Sequence, residues 1–416
     1  MLGHMNLRYT RGPNSELTRK IDPFSRRRLA SVIAATTMAV SSLAACGSSS
    51  SPTNTGSGNS SANASSTVAK GIAYANAQLV PYRSLPKFTP PGPPFDATKV
   101  MAGKLIFSIP IDSRDQFDQV IEDGLAKIAK QVGFRFVDYT NSGQVSQYVA
   151  GMNLAISEHA SLIDLSAGLN PADIAPQIAQ AKAAGIPVVS SDAYGLTQES
   201  PPILSGTVKV PYAEAAQLQA DWITVQSKGK GDTLIISSND VPASSYGVAA
   251  MENEFKKACP ECKSDTINIP VSQWATETQT QVAAFLVAHP NVDYIAPVYD
   301  SQSQYIIPAI QTSGRVGKVK IVTYDGTPFV LRYIQVQHGQ IVQMDVGESL
   351  DWVSHAVMDA EMRIVGGLTP VLDEHLALYI WDAQNVDNAG IPPVASTGYG
   401  SAYIKGYDSL WGVSPS

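Results

Sequence analysis

Cysteine is nearly absent, with three residues in a chain of 416. Histidine is scarce as well, and its six copies (His4, His159, His289, His338, His355 and His375) are scattered. No HExxH, GxSxG or GxxxxGK[ST] spacing occurs, so zinc hydrolase, serine hydrolase and P-loop chemistry have no motif to stand on. We expect no catalytic residue, no metal and no cofactor. Long apolar runs are missing too. The longest stretch low in charge and rich in apolar residues, 29–45, covers 17 residues, many of them Ala, Ser and Thr. That is short and weak for a membrane span. Positive charge runs out early: residues 1–45 hold seven Lys/Arg and two acids, so the chain from Cys46 onward has 22 basic against 34 acidic residues, net −12. A body of that sign lacks the basic surface that phosphate backbones require, and nucleic acid is not an expected partner.

What is present begins at the N-terminus. Arg26, Arg27 and Arg28 precede the 29–45 run, a charged region followed by an apolar one, as in an export signal over 1–45. Three consecutive arginines suit both the twin-arginine and the general secretory route. A single apolar anchor helix is the alternative. The run Leu43-Ala44-Ala45-Cys46 resembles the bacterial lipobox, in which small residues precede a cysteine that is lipidated and becomes the first residue of the mature protein. Residues 47–67 use almost only Gly, Ser, Asn, Thr, Pro and Ala without a charge. Such a composition cannot bury apolar surface, so 46–67 reads as a flexible tether. Residues 68–102 follow as a Pro-rich arm, whose stretch 81–96 carries six prolines and favours extended backbone.

The body has the 44 % hydrophobic and 16 % charged composition of a chain with a real core. Strand-like runs at 104–111, 134–139, 161–165 and 186–190 alternate with helical periods such as Phe117, Val120, Ile121, Leu125, Ile128 and Val132. The pattern restarts, with helices over 212–226, 246–257, 276–288 and 303–313 and strands at 233–237, 265–269, 294–297 and 320–324. A last long helix is expected over 348–365. Strict alternation predicts an α/β protein with parallel sheets covered on both faces. Two units in series imply two lobes, with ligands held beyond the carboxyl ends of the strands. The pair Cys259 and Cys262 closes a helix in an exported chain, where a disulfide is the default. A redox pair would sit at a helix N-terminus, and a zinc site would need two further ligands.

The stretches "AQAKAAGIPVVSSDA" (179–193), "AHPNVDYIAPVYDSQS" (288–303) and "VTYDGTP" (322–328) resemble, in order and spacing, the type I periplasmic binding proteins of ribose-like sugar ABC transporters. The resemblance covers roughly residues 103–366. It implies two similar doubly wound parallel-sheet lobes joined by a three-strand hinge and closing on a ligand. The first lobe would hold 103–207 plus 347–375, and the second 208–346 plus 376–416. Crossings would fall near 205–208, 345–347 and 377–381. It also implies no enzyme activity, capture of a sugar, polyol or similar small solute, and delivery to an ABC permease. The protein would act as a monomer, outside the cytoplasm, held to the membrane by lipid on Cys46. A sensor presenting the same cleft to a receptor kinase is the alternative. A transcription regulator would need a basic helix-turn-helix where the tether lies.

Sugar hydroxyls call for carboxylates and amides, and sugar C–H faces for flat aromatics. Asp112, Arg114, Asp115 and Phe117 stand at the end of the first strand, where by resemblance Asp115 takes the place of a hydroxyl-binding amide and Phe117 of a stacking ring. Asp192 and Asp325 match the family's cleft aspartates. Trp274, Tyr299 and Asp300 are further candidates, and Glu348 lies by the second crossing. Each has a plainer reading: Asp192 and Asp325 as turn caps, Phe117 and Trp274 as core, Arg114 as a solvated loop charge. The family's ribose binders carry an arginine where this chain has Ala193, and another early in the helix holding 244–255, where no basic residue occurs before Lys256. Ribose itself is therefore doubtful, and an acidic cleft suits a neutral polyol, another sugar or a cation. The segment 398–413 reads only as an aromatic surface strap.

Overall fold

The computed structural model describes residues 58–369 and 371–414. The expected export signal, Cys46 and most of the expected tether lie outside them. In chain order, α1 (Gly58–Leu79) and α2 (Ala97–Val100) lead into β1 (Leu105–Pro110), α3 (Gln116–Val132), β2 (Arg135–Asp138) and α4 (Val145–Ser157). Then come β3 (Leu162–Ser166), α5 (Ala175–Ala183), β4 (Val188–Gly195) and β5 (Gly206–Val210). The second half runs α6 (Tyr212–Gln226), β6 (Asp232–Ser237), α7 (Pro242–Ala258), β7 (Lys263–Asn268), α8 (Trp274–Ala288), β8 (Tyr294–Pro297) and α9 (Ser303–Thr312). It continues through β9 (Lys320–Asp325), α10 (Pro328–Gln337), β10 (Val342–Glu348), α11 (Leu350–Val365), β11 (Leu378–Asp382) and α12 (Ala402–Trp411).

Two sheets result. The first, ordered β2-β1-β3-β4-β5, is wholly parallel; the second, β11-β10-β9-β8-β6-β7, is parallel except for β11, which runs antiparallel to β10. β1 and β3 are buried along their whole length, as a sheet with helices on both faces demands. The edge strand β7 is instead polar and exposed, which discourages pairing with another chain. The chain passes between the lobes after β5, after β10 and again between α11 and β11. Cys259 and Cys262 are joined at the end of α7, with Cα atoms 5.3 Å apart.

Helix ends follow local chemistry. Asp115 caps α3 by accepting from the Phe117 amide at 3.1 Å, and Gly133 ends it in the left-handed region at φ 94°. Ser349 caps α11 through the Trp352 amide.

Both termini depart from the expectations. Part of the expected tether (58–67) and the start of the arm are helical, because Val68, Gly71, Ile72, Ala75 and Leu79 recur at helical spacing and lay α1 against α6 and α7. A Cβ on Gly71 would stand 2.0 Å from the Ala258 carbonyl oxygen, so that contact is backbone to backbone. Only the proline stretch beyond residue 83 is extended.

The C-terminal segment is not a surface strap, and its helix does not join the second lobe. β11 does pair in the second sheet, but α12 packs on α11 of the first lobe, burying Tyr403, Tyr407 and Trp411. Tyr403 stacks on Trp352 at 4.8 Å between centroids and Trp411 on His355 at 5.6 Å, while the Trp411 indole donates to Asp359 at 2.7 Å. The arm closes this cluster from outside: Phe88 meets Tyr407 edge-on at 5.1 Å, and Arg363 donates to the Pro93 carbonyl at 3.0 Å.

Candidate ligand cleft

Ends of strands from both sheets face one another across the cleft. Three backbones there adopt left-handed conformations at residues other than glycine: Ala167 after β3 (φ 58°), Asp192 in β4 (φ 51°) and Asp325 at the end of β9 (φ 140°). Each such residue costs on the order of 1–3 kcal/mol, and such strain persists only where the surroundings impose it. At Asp192 the cause is visible, since the β4–β5 register shifts between Ser191 and Tyr194. A bulge of this kind re-aims a side chain at the edge of a sheet.

Asp115, Phe117, Trp274, Tyr299 and Asp325, all expected from sequence, line one small cavity with Asp118 and Tyr212. Its volume is about 30 Å³, room for roughly two water molecules. The lobes touch across it: the Ser301 hydroxyl, in the second lobe, donates to Asp115 Oδ1 at 2.7 Å. Close approach also dictates Gly168, where a Cβ would meet Val241 of the opposite lobe at 2.8 Å.

Asp192 and Glu348 stand just behind this cavity, near enough for their charges to raise the Asp325 carboxyl. Burial is the first cause in all three. It pushes Asp192 up to about 7 and holds Asp325 and Glu348 well above the usual carboxylate range. Tyr212 donates its hydroxyl to Asp192 Oδ1 at 3.0 Å and the Tyr324 hydroxyl faces Glu348, whereas Asp192 Oδ2 meets no protein donor. Asp325 Oδ2 accepts the Asp300 amide at 2.9 Å. Trp274 is fixed by its indole N–H, which donates to Ser238 Oγ at 2.8 Å, and its ring centroid lies 6.2 Å from that of Tyr299. Among the described residues lining this cavity, none carries positive charge.

Three expected residues are placed otherwise. Asp300 turns into the second lobe, where Oδ2 accepts the Thr327 amide at 2.8 Å and hydroxyl at 2.6 Å; it braces the loop after β9 and does not face the cavity. Arg114 and Asp112 pair with each other at 2.6 Å at the cleft mouth, and Arg114 also donates to the Ser142 carbonyl. With Asp115 and Trp274 they line a more open pocket of about 200 Å³ at that mouth. Asp118, Tyr212, Ser301 and Tyr324 were not anticipated. Asp118 accepts the Asp112 amide at 2.8 Å from the first turn of α3, a local contact that folds the loop after β1 back on the helix. Tyr212 had a usable signal, being the first helical residue after the first crossing.

Residues 105–366 match the family of the periplasmic binding protein domain. A D-ribose/D-allose-binding protein of Pseudomonas aeruginosa is 24 % identical over 222 residues, which is 51 % of this chain and 67 % of that protein. An Agrobacterium vitis ABC transporter solute-binding protein with bound allitol superposes with TM-score 0.61 at 18 % identity, covering 69 % of this chain and 98 % of that one. A sugar ABC transporter protein of Yersinia enterocolitica gives TM-score 0.62 at 18 % identity, covering 79 % and 99 %. The chain belongs to the periplasmic binding protein family, with the two-lobed type I fold.

Proposed function

We propose that this member of the periplasmic binding protein family captures a neutral, polyhydroxylated solute, a sugar or sugar alcohol, by closing its lobes. One observation carries the reading: carboxyl groups from β4, β9 and β10 converge at the cleft, with an unpaired oxygen on Asp192, beside aromatic walls. Solute hydroxyls would supply the donor that oxygen lacks. Trp274, Tyr299 and Phe117 would cover the C–H faces. An anionic solute would meet no positive charge in the inner cavity.

A monosaccharide does not fit the cavity described, so the lobes part to admit it and close again. Both lobes contribute to the site, and a solute therefore binds the closed arrangement better than the open one, which is what drives closure. The solute is then passed to an ABC permease, and lipid on Cys46 keeps the protein at the membrane where that permease lies. The allitol and the ribose or allose of its relatives name the compounds to try first.

The test is a thermal-shift panel on the full chain with allitol, D-allose and D-ribose against a dicarboxylate and buffer. A solute that binds only the folded protein raises the melting temperature. At least one neutral polyol should do so; stabilisation by the dicarboxylate alone contradicts the reading.

A further inference from the structure

A larger cavity lies outside the cleft, walled by α1, α6 and α7, with a volume of about 430 Å³. We propose that it is a second binding site, for a small aliphatic amine carried as its ammonium. The α1 wall precedes the residues that match the family, so this site is an addition built by the N-terminal helix.

Three carboxylates reach it. Glu214 and Asp221 lie seven residues apart on one face of α6, and Glu254 comes from α7. Glu214 is satisfied by the Tyr82 hydroxyl. Asp221 is not: the residue is only 1 % exposed and its Oδ1 meets no donor. Glu254, 4 % exposed, gives one oxygen to Lys257 at 3.5 Å and has none for its Oε1. A buried carboxylate oxygen without a partner is costly, and an ammonium carries three donors to supply it.

Tyr74, Tyr82 and Tyr246 line the same cavity. Tyr74 already meets one ammonium, since Lys257 Nζ donates to its hydroxyl with the ring centroid 4.2 Å away. Aromatic faces beside carboxylates are the chemistry that selects organic cations over neutral compounds. Leu196 and Thr197 of the first lobe complete the wall, and Thr197 hydrogen-bonds Tyr246 of the second. The site is thus whole only when the lobes are together.

Calorimetric titration of the full chain with 1,4-diaminobutane tests this, with 1,4-butanediol as the uncharged control. Saturable binding of the diamine, none of the diol, and a tenfold or greater loss in Asp221→Asn are expected. Asp325→Ala should keep the diamine while losing the cleft solute, which separates this site from the cleft. Should Asp221→Asn fail to fold by circular dichroism, Tyr74→Leu on the half-exposed face of α1 should weaken the diamine several-fold. No saturable heat from the diamine, equal binding of the diol, or loss in Asp325→Ala with retention in Asp221→Asn and Tyr74→Leu each overturns the proposal.

Discussion

Two of the groups of buried acids in this molecule differ in much except burial. Asp192, Asp325 and Glu348 stand at strand ends of both lobes, two of them on left-handed backbone. Glu122 of α3, Asp164 of β3 and Glu361 of α11 are sealed inside the first lobe. There Ser108 donates to Glu122 at 2.8 Å and Ser191 to Asp164 at 2.7 Å, while burial and the neighbouring Asp164 hold the Glu361 carboxyl well above the usual range. Burial pushes Glu122 up to about 8 and Asp164 to about 7, much as it does Asp192. A raised carboxyl alone therefore does not mark a ligand site. Strained backbone, a position beyond the strand ends and access from the cleft do.

The contrast can be broken by substitution. The largest effect is expected at Asp325→Ala, which should cost the cleft solute about 100-fold or more, corresponding to roughly 2.7 kcal/mol. Glu122→Gln should change that affinity less than about twofold, below roughly 0.4 kcal/mol. Equal losses in the two variants erase the distinction.

Next in size is the dependence of stability on pH. Carboxyls raised in the folded chain bind protons that the unfolded chain, with values near 4, has released. Stability is therefore greatest below about pH 4 to 5 as far as these groups are concerned, and falls as pH rises through 7 to 8. The melting temperature should drop by about 5 °C or more between pH 5.5 and 8.5. Glu122→Gln should flatten the curve by removing one buried charge; an unchanged slope assigns the dependence elsewhere.

Asp192→Gly sharpens the comparison further. Glycine adopts φ 51° without penalty, so the variant should be more stable by about 1 kcal/mol while binding the solute at least tenfold more weakly. A cap or turn role alone predicts no loss of binding. The smallest effect should come from Ser301→Ala, whose single hydrogen bond to Asp115 across the cleft is worth about 1 kcal/mol of closure. Chemical denaturation and titration of each variant read these out.

Much of this architecture was legible because parallel strands announce themselves as short apolar runs. The run at 294–297 coincides with β8, and the stretches where the resemblance implies crossings overlap β5, β10 and β11. α10 is left unassigned by the sequence reading, although Pro328 in its first turn and Val330, Leu331 and Ile334 carry the signal. α1 was hidden because its first ten residues have the composition of a linker, and its docking depends on partners 140 residues away. Of the site, residues directly after strands were readable. The inward turn of Asp300 was not, since it depends on Thr327 lying next to it in three dimensions. Nor was the role of Tyr212, which comes from the neighbouring lobe to meet Asp192.

The central claim is that carboxylates from both lobes hold a neutral polyhydroxylated solute together. Calorimetric titration of allitol, D-allose and D-ribose into the full chain and into the Asp192→Ala/Asp325→Ala double variant tests it most directly. Saturable one-to-one binding of at least one of them, lost in the double variant while its fold is retained, is the predicted result. Binding that survives in the double variant, or none with any of the three, contradicts it.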